Sequence, residues 1–456
     1  MSADTTRSQP TDADSLLARL QEDGIERLWV VYHDYSGRAE GKIIPRASMR
    51  SAVRGGVVFA KANLEFDHHD HQAAGASYLA DSGDFLAVPD PASYAILPQY
   101  ANTARVHAFM RDDDGSPWEG CPRTRLVQLV EAAKAEGYSI AAALEPEFFV
   151  VTRDEHGDLH PVGHTPMFST AGLAAEEPFL RRVVDLLEGM GVEVPQIGQE
   201  YSPGQYELST AHGDPITAID RYYAVREAVR DAATEFGYEA TFMPKPYADW
   251  SGNSLHVHLS IWNAEGTTDL TPDPDDNVSI SALGRQFAGG LLAHVDALTG
   301  LGSPTVNSYK RLQPGSWAPA NTYWGYGNRS GVIRIPGYGK RRHLEYRASD
   351  NAAQPEMLLT GLIAAGMDGI RRGLDPGDPF HGDIGHMSAE AIAAANIGYL
   401  SRTLGAALDA LEADPVIAEA LGAAALDHAL MVRRHELATY EQIVHAWERE
   451  TYFPIV

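Results

Sequence analysis

The sequence predicts an α+β protein with a small N-terminal domain and a large second domain whose helices back a sheet. Three observations carry that reading. At 456 residues the chain exceeds what one small core requires, so two domains are expected. Strand-like segments dominate up to residue 112, where the acidic, Gly- and Pro-containing stretch "RDDDGSPWEG" reads as a linker, and helix and strand alternate after it. The last third is rich in Ala and Leu, as helices packed on a sheet would be.

Taken in order, residues 1–14 are polar and expected to be disordered. Residues 15–112 form the small domain: "SLLARLQEDG" reads as a capped helix from Ser15 to Gly24, and "ERLWVVYHDYSGRAEGKIIPR" as a hairpin turning at Ser36 and Gly37. Residues 118–456 form the large one. It opens with a helix at "TRLVQLVEAAKAEG", a strand through Phe149, and a helix at "PFLRRVVDLLEGMG" with Pro178 in its first turn. A long helix at "PITAIDRYYAVREAVRDAATEFG" and a strand at "SLHVHLSIW" follow, and helix is expected for most of Gln354 to Glu450.

Composition excludes several functions. The content, 44% hydrophobic and 21% charged, is that of an ordinary globular protein. A net charge of −26 argues against nucleic acid or an anionic membrane as partner, because either would be repelled. The apolar runs fall short of a bilayer span, and "MSADTTRSQPTDADS" has no apolar signal core, so a cytoplasmic protein is expected. The lone Cys121 can form neither an internal disulfide nor a cysteine zinc ribbon.

The chemistry starts with "ALEPEFFV", an apolar strand carrying Glu145 and Glu147. Strand side chains alternate, so both acids share one face while Leu144, Pro146 and Phe148 share the other. The device recurs: "SLHVHLS" puts His256 and His258 on one face, and "RRHLEYRASD" does so with Glu345 and Arg347. In "QIGQEYSPGQYELST" a Ser-Pro-Gly turn would bring Glu200 near Glu207. Such a crowd of carboxylates needs positive charge to hold it, and oxygen-dominated ligation without cysteine favours Mg2+ or Mn2+. Lys310, Arg311, Arg329, Arg334, Lys340, Arg341, Arg342 and Arg347 then supply eight of the 36 basic residues within 38 positions. Metals beside arginines are the parts phosphoryl transfer requires.

The segments "EPEFF", "GQEYSPGQYEL", "KPYADWSGNSLHVHLS", "NSYKRLQPGSWAP", "NRSGVIRIP" and "HLEYR" match, in order, successive motifs of the glutamine synthetase family, which the chain resembles over nearly its whole length. The resemblance implies an N-terminal β-grasp domain, a catalytic domain with a curved antiparallel sheet, and a homo-oligomer of stacked rings (a dodecamer) with sites at subunit interfaces. It also implies at least two divalent ions per site, one on Glu147, Glu200 and Glu207, the other on Glu145, His256 and Glu345. His258, Ser260, Lys340 and Arg342 would serve ATP. Gly252, Arg311 and Arg347 would hold L-glutamate, and Arg329, Arg334 and Arg311 would assist the chemistry. ATP would phosphorylate the γ-carboxylate, and an amine would displace the phosphate.

The departures concern that amine. Trp317, in "QPGSWAP", stands where the family has a glutamate that deprotonates ammonium, and "FAKANLEFDHHDHQ" replaces a D-G-S-S segment whose aspartate helps bind it. Ammonium has no apolar surface and depends on such acids, whereas tryptophan offers an apolar wall and a π face. The expectation is a ligase for an organic amine (alkylamine, ethanolamine, polyamine or aniline), its pocket made by Trp317, Ser316 and a neighbouring subunit's Asp84. The "HHDH" run at 68–71 is expected to be a solvated loop. Ser251 and His343 replace an asparagine and an arginine common in the family, and "DPFHGDIGHMS" has no counterpart of the adenylylated tyrosine. An ammonia-using glutamine synthetase, a catalytically silent homologue and a metal-dependent amide hydrolase built on His256 and His258 are the alternatives.

Overall fold

The computed structural model describes residues 9–395 and 397–455. Most of the stretch expected to be disordered, residues 1–8, lies outside these. The first helix spans Ala13–Glu22, starting before Ser15 because Asp12 caps it: the Ser15 amide donates to Asp12 Oδ1 at 2.8 Å.

Strands β1 (Arg27–His33), β2 (Ala39–Pro45), β3 (Val57–Ala60), β4 (Asp84–Pro89), β5 (Ala95–Ile96) and β6 (Thr103–Arg111) form one sheet in the order β2-β1-β6-β4-β3, with β5 on β6. The hairpin turns at Gly37, whose φ of 77° suits glycine. β1 and β6 run parallel at the centre, giving the mixed sheet of a β-grasp unit. Cys121 is buried at the start of the next helix, Pro122–Ala135.

The second sheet has ten strands: β7 (Tyr138–Arg153), β8 (Leu159–Pro161), β9 (Gln196–Gln199), β10 (Gln205–Ser209), β11 (Glu239–Thr241), β12 (Leu255–Asn263), β13 (Asn321–Tyr326), β14 (Gly331–Ile335), β15 (Leu344–Tyr346) and β16 (Gly398–Tyr399). Its order is β16-β13-β14-β15-β12-β7-β10-β9, with β8 and β11 paired to β7. The expected antiparallel pattern has one exception, since β13 and β14 run parallel. Leu144 on β7 and Leu255, Val257 and Leu259 on β12 point into the core. There they share a hydrophobic cluster with the helix Pro355–Arg372, which is buried along most of its length. The opposite face of the same strands is left for polar side chains. Among the described residues, no single helix is long and apolar enough to cross a membrane.

Candidate active site

Strand register assembles the site. On β7, Glu145 lies opposite His256 of β12, and Glu147 opposite Glu207 of β10. His258 in turn faces Glu345 of β15, and Glu345 faces Arg334 of β14. Five adjacent strands therefore carry one continuous polar ladder, which follows from period-two alternation once the register is set.

Two groups could each hold a divalent ion. Ligand atoms of Glu145, His256 and Glu345 lie within 4.8 Å of one another, and so do those of Glu147, Glu207 and His256. The first is the triad the resemblance implies. In the second, His256 stands where Glu200 was expected. Glu200 sits just past the end of β9, where burial first and the Glu147 charge second push its carboxyl up to about 7. Burial and the charges of Glu145 and Glu147 push Glu207 up to about 10. Carboxylates so close repel unless a cation lies between them. His256 Nδ1 is buried without a hydrogen bond, 3.5 Å from Glu145 Oε2 and 3.7 Å from Glu345 Oε1, an orphan that a metal would satisfy. A set of carboxylates with imidazole and no thiolate fits Mg2+ or Mn2+.

Other carboxylates are held charged. Burial alone would raise Glu345, but the Arg347 guanidinium, with His258, His256 and Arg334, outweighs it and keeps the carboxyl far below its usual range. Arg334 Nη1 donates to Glu345 Oε2 at 2.7 Å, and Arg347 Nη1 donates to Oε1. Glu145 is likewise held low against its burial by the neighbouring imidazoles of His256 and His258. His258 Nε2 is 3.3 Å from Glu145 Oε2, and its Nδ1 shares a 2.9 Å hydrogen bond with His343 Nε2. Burial, then the His258 charge, brings His343 down to about 4.

A cleft of 1190 Å³ opens beside this ladder, lined by His258, Ser260, Lys340, Arg342 and His343. The residues expected to serve ATP thus share one cavity with Glu145. Arg342 is fixed between the rings of Tyr326 and Tyr338, at 4.9 and 5.2 Å. Arg311 is buried, with Nη2 donating to the Arg347 carbonyl at 3.1 Å and Nη1 left without a partner. A Cβ on Gly252 would come within 2.8 Å of Arg311 Cγ, so only glycine fits there. Ser251 is occupied by Ser202 Oγ at 2.6 Å and Gln205 Oε1 at 2.8 Å. Arg329 is exposed, and its carbonyl accepts from Arg347 Nε at 3.0 Å.

Not every candidate joins the cluster. Trp317 and Ser316 lie on an exposed loop, with Trp317 set edge-on to Tyr201, 5.0 Å between ring centres. Asp84 is exposed on the other sheet, opposite Ala60. Lys310 is exposed, its ammonium 5.8 Å from the Tyr440 ring. His68 to His71 are exposed, and Asp67 accepts from the amides of His69 and His71 at 2.8 and 2.9 Å. Conversely, sequence reasoning missed the groups that orient the acids. Ser209 Oγ donates to Glu145 Oε1 at 2.7 Å, the Ser254 amide to Glu147 Oε2 at 2.8 Å, and Asn351 Nδ2 to the Glu147 carbonyl at 3.0 Å. Only Ser209 carried a signal, two residues beyond Glu207 on the same strand face.

Two overlapping groups that could hold metal, next to a cleft with basic walls, fit a class, enzymes of metal-assisted phosphoryl transfer. Comparison with known proteins narrows it. Residues 119–452 match the family model described as "Glutamine synthetase, catalytic domain". A glutamine synthetase of Halobacterium salinarum is 33% identical, with 98% of each chain covered. A glutamate–methylamine ligase of Methyloversatilis universalis is 34% identical, with 95% of this chain and 97% of that one covered. A solved GmaS/ADP complex superposes with a TM-score of 0.86 at 30% identity, covering 98% of this chain and 100% of the other. The chain belongs to the glutamine synthetase family and is an ATP-dependent ligase of that family.

Proposed function

We propose that this ligase joins the γ-carboxylate of L-glutamate to an organic amine rather than to ammonia. Relatives that use either nucleophile are equally similar, at 33% and 34% identity, so overall likeness does not decide between them. Trp317 carries the reading. It is half-exposed on the loop after Arg311 and turned edge-on to Tyr201, the residue following Glu200. An indole in that position removes an acid from the nucleophile's path and adds an apolar surface. In a ring assembly Asp84 would complete the pocket from the neighbouring subunit.

His258, Ser260, Lys340 and Arg342 would bind ATP, and the unpaired Nη1 of Arg311, with Arg347, would bind the glutamate carboxylates. Glu147, Glu200 and Glu207, with Glu145, His256 and Glu345, would hold two divalent ions, whose charge offsets that on the phosphoryl oxygens. A γ-carboxylate oxygen attacks the γ-phosphorus and ADP leaves, giving γ-glutamyl phosphate. Arg329 and Arg334 would stabilise the phosphoryl oxygens during that transfer. The amine nitrogen then attacks the acyl carbon, inorganic phosphate leaves, and the nitrogen loses a proton. Glutamate-dependent phosphate release with ammonium and with a panel of amines tests this, an organic amine being the expected best substrate. Ammonium as the best nucleophile would overturn it in favour of a glutamine synthetase.

A further inference from the structure

Three large aromatic side chains stand exposed in one row beside Glu200: Phe168 (61% exposed), Tyr201 (37%) and Trp317 (54%). Tyr201 is the middle ring, edge-on to Trp317 at 5.0 Å and to Phe168 at 6.4 Å. They come from three separate loops, so local sequence does not explain their meeting. Isolated exposed hydrophobics are ordinary, whereas a contiguous apolar surface at the mouth of a polar site marks a binding surface.

The loop carrying Phe168 is held there by the side chain of Gln199. Gln199, buried at the end of β9, donates from Nε2 to the carbonyls of Thr165 and Pro166 at 3.0 and 3.2 Å, and accepts from Thr165 Oγ1 at 3.0 Å. Phe168 itself has φ of 54°, a left-handed conformation that bulky residues rarely adopt. Glycine would take it without strain. A phenylalanine kept there, with its ring in solvent, adds nothing to the core, and strain of this kind gathers at functional sites.

We infer that Phe168, Tyr201 and Trp317 form the wall of the amine subsite and select a primary amine with a flat, apolar or aromatic substituent. The inference rests on the reading that the nucleophile is an organic amine. Aromatic faces and edges reward apolar area and rings of matching geometry. The three rings carry no carboxylate of their own, and Glu200 beside them is assigned to a metal, so the row itself has nothing to hold the second ammonium of a polyamine. Short amines reach too little of the wall to gain from it.

The test is the full-length enzyme with glutamate, ATP and Mg2+, assayed by phosphate release with ammonium, methylamine, butylamine, putrescine and benzylamine. Expected is a kcat/KM that rises from methylamine to butylamine to benzylamine. In Phe168→Gly, Tyr201→Ala and Trp317→Ala the benzylamine-to-methylamine ratio should fall about ten-fold each. Phe168→Gly should keep or raise the melting temperature, because it relieves the backbone while removing the ring. Ratios unchanged in all three variants, or putrescine as the best amine, would overturn the inference while leaving an amine ligase standing. A fall in the Phe168→Gly melting temperature or in assembly mass would show the row to be structural and would likewise overturn it. Ammonium as the best wild-type substrate instead removes the reading beneath it.

Discussion

Glu345 is where the basic and acidic halves of the site meet. Its buried carboxylate takes Arg334 on one oxygen and Arg347 on the other, with His256 Nδ1 3.7 Å away. Removing one partner of a buried ion pair strands the rest, so Glu345→Ala should lower unfolding free energy by about 3–5 kcal/mol and abolish glutamate-dependent ATP cleavage. Urea titration beside a phosphate-release assay checks both, and a loss under 1 kcal/mol would mean that solvent rescues the arginines. Cys121 offers a second check. Burial raises its thiol, so it should resist a thiol-specific reagent in the native protein and react fully once unfolded. The residues that could be read from sequence were those whose spacing fixes a shared face: Glu145 with Glu147, His256 with His258, Glu345 with Arg347. Ser254 and Asn351 escaped because their contact is made by backbone or to backbone, and a backbone amide carries no signature of the carboxylate it meets.

At the scale of elements, the β9–β10 hairpin sets Glu207 opposite Glu147 and holds Glu200 at its turn. Gly204 makes that turn possible. Its φ is +67°, and a Cβ there would lie 2.6 Å from the Val150 carbonyl and 2.9 Å from the Val162 amide. Gly204→Ala therefore meets a conformational penalty of about 1–2 kcal/mol and a collision with β7, and should shift the hairpin away from Glu147. Calorimetric titration with Mn2+ should show at least one site weakened about ten-fold or more. Unchanged metal affinity would exclude Glu200 and Glu207 as ligands. The Ser-Pro-Gly signal made this hairpin legible. The two-residue β16 did not stand out from the helical surroundings expected after Gln354, and the parallel β13–β14 pairing had no cue, because direction is decided by what each strand meets across the sheet.

At the scale of the molecule, the two sheets are joined through a buried polar seam. Arg105 on β6 donates to Glu227 at 2.7 Å, and Arg123 bridges Asp90 and Asp220, both at 2.7 Å. His33 stacks on Tyr223 at 3.4 Å, with its Nδ1 3.4 Å from Glu356. His107 lies among them, 3.7 Å from Asp220, with no hydrogen bond on either ring nitrogen. The strand-like reading up to residue 112 took in "ARVHAFMR", yet which face met water was hidden, since a histidine facing a second domain reads like one facing solvent. Burial, then the charges of Arg105, His33 and Arg123, holds the His107 pKa well below 6.5. The unfolded chain, with an ordinary imidazole, takes up a proton as pH falls through that value while the folded chain refuses it, so stability present at neutral pH is lost on acidification. Between pH 7.5 and 5.5 this one group should cost about 1.4 kcal/mol. Glu356, also held low by His33 against its burial, acts only nearer pH 4, so the two windows are distinct. Because no hydrogen bond is broken, His107→Leu should fold and flatten the urea-midpoint profile over those two pH units by that amount. An unchanged slope would mean that His107 takes a proton in place, and that the seam between the sheets is open to water.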